Sequence, residues 1–163
     1  MTKRILCAAV LALMSTACAS SPETRAACAA PTSGEIAIAG AERLNPDAMG
    51  SALPAQVRIY QLRDADTLRA ASFEDVWLRA DEVLGEVRVA EDTVTVYPGE
   101  TVRRPLSISP EATHIAVVAI VREPAGRTWQ AIAPLASEGD DGTCPTSRAL
   151  AFRVEEYRVE VRP

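Results

Sequence analysis

A chain of 163 residues that is 48% hydrophobic and 24% charged has material for one core, and it is too apolar to be disordered and too short for several domains. Its formal charge is −5, and its arginines are scattered among acids rather than massed on one segment, which excludes the electrostatic footprint of a nucleic-acid binder.

The first elements are not part of a fold. MTKR is a short basic segment, ILCAAVLALM an apolar one, and STAC a run of small residues ending in Cys18, the three-part pattern of a secretory signal covering residues 1–17. The apolar segment is too short to span a bilayer as a permanent helix. The stretch around Cys18 resembles a bacterial lipobox, with Ser15 standing where leucine is usual. That resemblance implies lipidation of Cys18 and, with Ala19 rather than Asp next, export to the outer membrane. Stable anchoring takes two or more acyl chains. Cleavage after Ala17-Cys18-Ala19, releasing an unanchored protein, remains the second reading. Residues 18–33 are rich in Ala, Ser, Pro and Thr and form a tether with little to bury. Beyond the signal and Cys18 stand Cys28 and Cys144, which an oxidising periplasm invites to pair. The enclosed loop of 116 residues (144 minus 28) corresponds to a denatured-state restriction of at most about 5 kcal/mol. Two free thiols are the alternative. A metal site is disfavoured by the lack of a C-x-x-C pair and by a single histidine.

From residue 34 to 163 the pattern is that of short half-buried strands, with apolar residues at every second position. Ile36 and Ile38 mark the first, Val57 and Ile59 the second, Val87 and Val89 a third, and Val94 and Val96 a fourth. Pro98-Gly99 then turns the chain into Val102 to Ile108. Between the second and third strands lies one helix signal, within an insertion at about 66–85. Phe73, Val76, Trp77, Ala80, Val83 and Leu84 recur at spacings of three and four, Ser72 and Asp75 resemble a capping box, and Gly85 supplies the stop. Trp77 and Trp129 are assigned to the core. The run HIAVVAIV, 114–121, is apolar on both faces, which requires cover on the outside of the sheet; this helix is the obvious cover. Leu150, Phe152 and Val154 alternate out of phase with Tyr157, Val159 and Val161, so Glu155-Glu156 marks a bulge or a sharp bend. The fold class is mainly β, a mostly antiparallel sandwich with one inserted helix.

Chemistry is sparse. His114, the one histidine, stands at the mouth of an apolar strand, and no nucleophile–base pair surrounds it. GDDG at 139–142 lacks the spaced ligands of a calcium loop and reads as a turn. No glycine-rich phosphate cradle follows a strand. These absences argue against an enzyme, and no cofactor or small-molecule substrate is expected.

LNPDAMGSALPAQVRIYQL at 44–62, the helix from Phe73 to its closing Leu84-Gly85, the YPGE turn at 97–100, and HIAVVAIVRE followed by TWQAI closely resemble the outer-membrane lipoprotein of type VI secretion systems, the TssJ family. The resemblance covers about residues 34–134. It implies a transthyretin-like β-sandwich held by lipid at the inner leaflet of the outer membrane. It also implies binding to the periplasmic C-terminal region of TssM, and through it TssL, to stabilise a trans-envelope complex. In that family the loop between the first two strands carries much of the contact. Here that loop is Leu44 to Leu53, with Asn45, Pro46, Asp47, Met49 and Ser51 as candidates and mobility as its expected asset. Asn45, Pro46, Asp47 and Gly50 are also ordinary turn formers, whereas Met49 suits an adaptable contact. The alternative function is a pilotin or chaperone-like lipoprotein that pairs with a secretin or pilus subunit along a sheet edge. For the anchor, Cys18→Ser is expected to move the protein from the membrane fraction to the soluble periplasmic fraction, which cell fractionation checks.

Overall fold

The computed structural model describes residues 28–136 and 143–163. The signal, Cys18, most of the tether and the GDDG segment lie outside the described residues. The strands are β1 (Ser33–Leu44), β2 (Ala55–Leu62), β3 (Arg88–Val96), β4 (Thr101–Ser107), β5 (His114–Ile120), β6 (Gln130–Pro134), β7 (Arg148–Glu156) and β8 (Arg158–Arg162). Two helices, α1 (Asp66–Ala70) and α2 (Phe73–Leu84), follow β2. One four-stranded sheet runs β4-β1-β7-β8 and the other β3-β2-β5-β6. Every pairing is antiparallel except that of β1 with β7, which is parallel.

The alternation of each strand decides what the sandwich encloses. Ile36 and Ile38 of β1, Val57 and Ile59 of β2, and Phe152 and Val154 of β7 all point into the shared core. Gln61 crosses it as a polar tie. Its amide donates to the Ser107 carbonyl at 2.7 Å and accepts from the Ser109 amide at 2.9 Å, so the one buried glutamine is satisfied on both ends.

β5 explains the third layer. Ile115 through Ala119 are all fully buried. Ile115, Val117 and Ala119 share the face of Gln61, Ile59 and Val57, while Ala116 and Val118 share the face of Tyr60 and Arg58. The helices cover that second face. Arg58 donates to the Val76 and Trp77 carbonyls at 3.0 and 3.3 Å, and the Gln130 amide donates to the Leu68 carbonyl at 3.2 Å. Val76, Ala80 and Leu84 form the buried line of α2.

Three details differ from the sequence reading, and a fourth, the sharp bend at Glu155-Glu156, agrees with it. The inserted helix is two helices, because the chain turns at Ala71, which is extended (ψ 147°), before Ser72 restarts the coil. Val89 and Val94–Val96 belong to one strand, β3, since no turn residue separates them, and Val87 lies in the turn just before it. A bulge opposite Gln61-Leu62 absorbs their opposite phases. Trp77 is 48% exposed rather than in the core. At about 100° per residue it falls roughly 100°, 60° and 20° from Val76, Ala80 and Leu84, at one edge of the stripe. Glu155-Glu156 leads into a tight β7–β8 hairpin with Glu156 at φ 49°.

α2 is capped as its sequence requires. The Asp75 amide donates to the Ser72 hydroxyl oxygen at 3.1 Å, and the Ser72 hydroxyl donates back to the Asp75 carboxylate at 2.7 Å. That hydroxyl and the Arg79 guanidinium hold the Asp75 carboxyl below its ordinary range. Arg79 itself leaves helical geometry (φ −136°, ψ 34°), and the Arg58 guanidinium takes carbonyls of the turn before this kink. The model joins Cys28 to Cys144 by a disulfide. Leu84→Ala, which empties a fully buried site in the core, is expected to cost about 2–5 kcal/mol in urea denaturation.

Candidate functional site

The strand register divides the molecule into two poles. β1 enters at the pole where Gly34 meets Arg148 and leaves where Leu44 meets Glu156. Cys28, tied to Cys144, marks the first pole. The second pole gathers the β1–β2 loop (45–54), the turn before β4, the β5–β6 connection (121–129) and the β7–β8 hairpin. A twelve-residue strand such as β1 is about 40 Å long, so the two poles lie that far apart.

Asn45 opens the β1–β2 loop with φ 44°, a left-handed conformation that asparagine tolerates better than most residues. Its side chain is inside, not outside. Asn45 is 6% exposed; its amide nitrogen donates to the Pro54 carbonyl at 3.0 Å, and its amide oxygen accepts from the Arg122 backbone at 2.9 Å. The residue thus closes the loop on itself and ties it to the end of β5. Pro46 is also buried, and its carbonyl accepts from the Tyr157 hydroxyl at 2.8 Å. Arg127 lies over the Tyr157 ring, 5.9 Å from its centroid.

Asp47 organises the tip. Its carboxylate accepts from the Met49 and Ser51 backbone amides at 2.9 and 2.8 Å, its own amide donates to the Ser51 carbonyl at 2.9 Å, and its carbonyl accepts from Gly50 at 2.9 Å. Gly50, at φ 84°, completes the turn. At the neck, the Asn45 amide donates to the Glu156 carbonyl and the Leu53 amide to the Leu44 carbonyl. The mobile loop expected from its composition is therefore a braced one, because its turn formers spend their polar groups on the loop itself. What it presents outward is Ala48, Met49, Gly50 and Ser51, with Met49 91% exposed. At the adjoining hairpin, hydrogen bonding to Arg153 holds the Glu155 carboxyl below its ordinary range.

Of the five candidate loop residues, then, Met49 and Ser51 face solvent, Asp47 is half-buried as the internal clasp, and Asn45 and Pro46 form the buried base. Tyr157 and Arg122 were not legible as parts of this site. Each reads locally as a strand-end residue, and only the fold carries Tyr157 111 positions back to Pro46. His114 sits half-buried at the start of β5, its Nδ1 2.8 Å from the Thr113 hydroxyl. Among the described residues no group of three or more His, Cys, Asp or Glu could hold a metal ion.

Residues 32–162 match the T6SS-SciN family model, described as type VI secretion lipoprotein, VasD, EvfM, TssJ. No curated protein matches the chain. Among solved structures it is similar to the T6SS lipoprotein TssJ1 from Pseudomonas aeruginosa, with 24% identity over 82% of this chain and 98% of that one and a TM-score of 0.70. It is similar also to Serratia marcescens Lip, a membrane bound component of the type VI secretion system, with 19% identity over 82% and 99% and a TM-score of 0.73. A chain in the structure of the TssM C-terminal domain (869-1107) from EAEC matches at 22% identity over 80% and 98%, with a TM-score of 0.65. At these identities the structures speak for the fold. The loop geometry itself separates two substitutions: Asn45→Ala, which orphans the Arg122 amide and the Pro54 carbonyl, is expected to cost about 2 kcal/mol in chemical denaturation. Ser51→Ala is expected to stay within about 0.5 kcal/mol.

Proposed function

Because the chain belongs to the type VI secretion lipoprotein family, we propose that it anchors the trans-envelope complex of such a system from the outer membrane. It does so by binding the periplasmic C-terminal region of TssM, which links it to TssL. The family is one of structural lipoproteins of the secretion system, so the work of this chain is attachment rather than turnover. Acylated Cys18 supplies the membrane end, and the tip of the β1–β2 loop supplies the partner end.

The observation that carries this reading is the placement of a braced loop, with Met49 exposed at its tip, at the pole opposite Cys28. A tether that leaves one pole for the membrane turns the other pole toward the periplasm. Rigidity there lowers the entropy lost on binding, so an exposed flexible side chain on a fixed backbone makes an economical contact. Tyr97, half-exposed on the turn before β4, adds apolar surface to the same pole.

The EAEC structure supports the partner. An alignment over 80% of 163 residues, about 130, takes in 98% of the matching chain. The span 869–1107 holds 239 residues (1107 minus 869, plus one). The chain that resembles ours is thus too short to be that domain, and we take it as a companion chain beside it.

Three of the four sheet edges, all but β8, speak against strand pairing with a secretin or pilus subunit. β4 carries Arg104 on its core-facing side and Pro105 in its middle, β6 is five residues long and ends in Pro134, and β3 exposes Glu91, Asp92 and Thr93. Such edges resist the addition of a further strand. Replacing Ala48–Ser51 with a Gly-Ser sequence is expected to abolish TssM binding in a pull-down from solubilised envelopes while the thermal melt moves little. Photo-crosslinkers at Met49 and Ser51 locate the contact; recovery of a secretin or pilus subunit in place of TssM contradicts the reading.

A further inference from the structure

A groove of about 890 Å³ lies beside the loop, between the first turn of α2 and the β5–β6 connection. Phe73, Ile120, Val121 and Trp129 form its floor, and Trp77 and Pro124 its walls. The aromatic floor is already packed. Phe73 meets Trp129 edge to face, centroids 5.4 Å apart at 79°, and leans on Trp77 at 6.0 Å. Trp77 nevertheless leaves about half its surface in water, and Ala125 on the facing lip is exposed. A concave site lined mainly by apolar and aromatic side chains, with Trp77 as its exposed edge, has the shape of a binding site, and a pocket lined by tryptophan is where binding energy concentrates.

Among the described residues none fills the groove: Cys28 stands at the other pole, and β8 runs back toward that pole. The ten residues from Cys18 to Cys28 reach at most about 35 Å when fully extended, short of the roughly 40 Å length of β1. The occupant therefore comes from outside.

Continuity indicates which molecule it is. The groove wall includes Arg122, whose backbone amide holds the Asn45 side chain, so loop and groove are one rigid surface. We infer that the groove receives an apolar side chain, aromatic or large aliphatic, from the same protein that contacts the loop tip; this rests on the loop reading above. Arg122 and Glu74 stand on opposite rims, and neither forms a salt bridge with another described residue. The segment entering the groove carries an acid beside its apolar anchor for Arg122 and a base for Glu74.

The test uses the full-length lipidated protein in detergent and measures its affinity for the TssM periplasmic C-terminal region. Trp77→Ala and Ala125→Arg are each expected to weaken binding about tenfold or more with little change in the thermal melt. Ala125→Arg alters only an exposed lip residue, so it stands even if Trp77→Ala disturbs packing. Wild-type affinity in Ala125→Arg, with Met49→Ser weakened, overturns the groove inference and leaves the loop reading in place. Wild-type affinity in Met49→Ser as well overturns both. A photo-crosslinker at Ala125 is expected to capture an apolar residue of the partner. Capture of a second copy of this chain, or of its own residues 18–27, overturns the inference.

Discussion

The structure depends on a strand that is buried on both faces. A sandwich of two sheets needs only one apolar face per strand, yet β5 is apolar throughout, and each valine or isoleucine left exposed would forfeit about 1.5–3 kcal/mol of burial. The cover comes from the segment between β2 and β3, which leaves the core, crosses the outer face as α1 and α2, and returns. Once that third layer is in place, much else follows. Arg58, on the covered face, finds carbonyls of α2 to bind. The first turn of α2 comes to rest beside the end of β5, and the groove between them is the seam where the added layer stops.

The same register that buries β5 creates the two poles. Each strand begins or ends at one of them, so loops far apart in sequence meet. The β1–β2 loop is held there by three unrelated segments: Glu156 and Tyr157 from the last hairpin, Arg122 from the end of β5, and Pro54 from its own neck. Asn45 serves as the hub, because an amide side chain can donate and accept at once and asparagine tolerates a left-handed backbone. Rigidity in this loop is bought by burying its base, which frees the tip to be exposed without being floppy. Burial and exposure are thus divided within ten residues, Asn45 and Pro46 forming the fixed base and Met49 and its neighbours the exposed tip.

The strands with clean alternation were legible because burial on one face leaves a period of two that any reader can count. Ile36, Ile59 and Phe152 lie where that period puts them. β3 was misread as two strands because a bulge reverses the phase without a turn residue to announce it. The assignment of Trp77 to the core failed for a related reason. Helical spacing identifies a stripe, but the width of the stripe that a partner layer covers is set by the partner. The loop was singled out as a candidate from its resemblance, while its internal wiring was not legible, since turn-forming residues look the same whether their side chains face water or close on their own backbone.

By itself the sequence determined the alternating strands, the need for cover over β5, the helix cap at Ser72 and the family resemblance, because each of these is written in composition or in local period. Only the tertiary structure decided which pole the loop occupies, which of its residues turn inward, and that a half-exposed tryptophan lines a groove beside it. These depend on contacts between distant residues, such as Pro46 and Tyr157, 111 positions apart, and no local pattern encodes where a distant hydroxyl or amide will arrive.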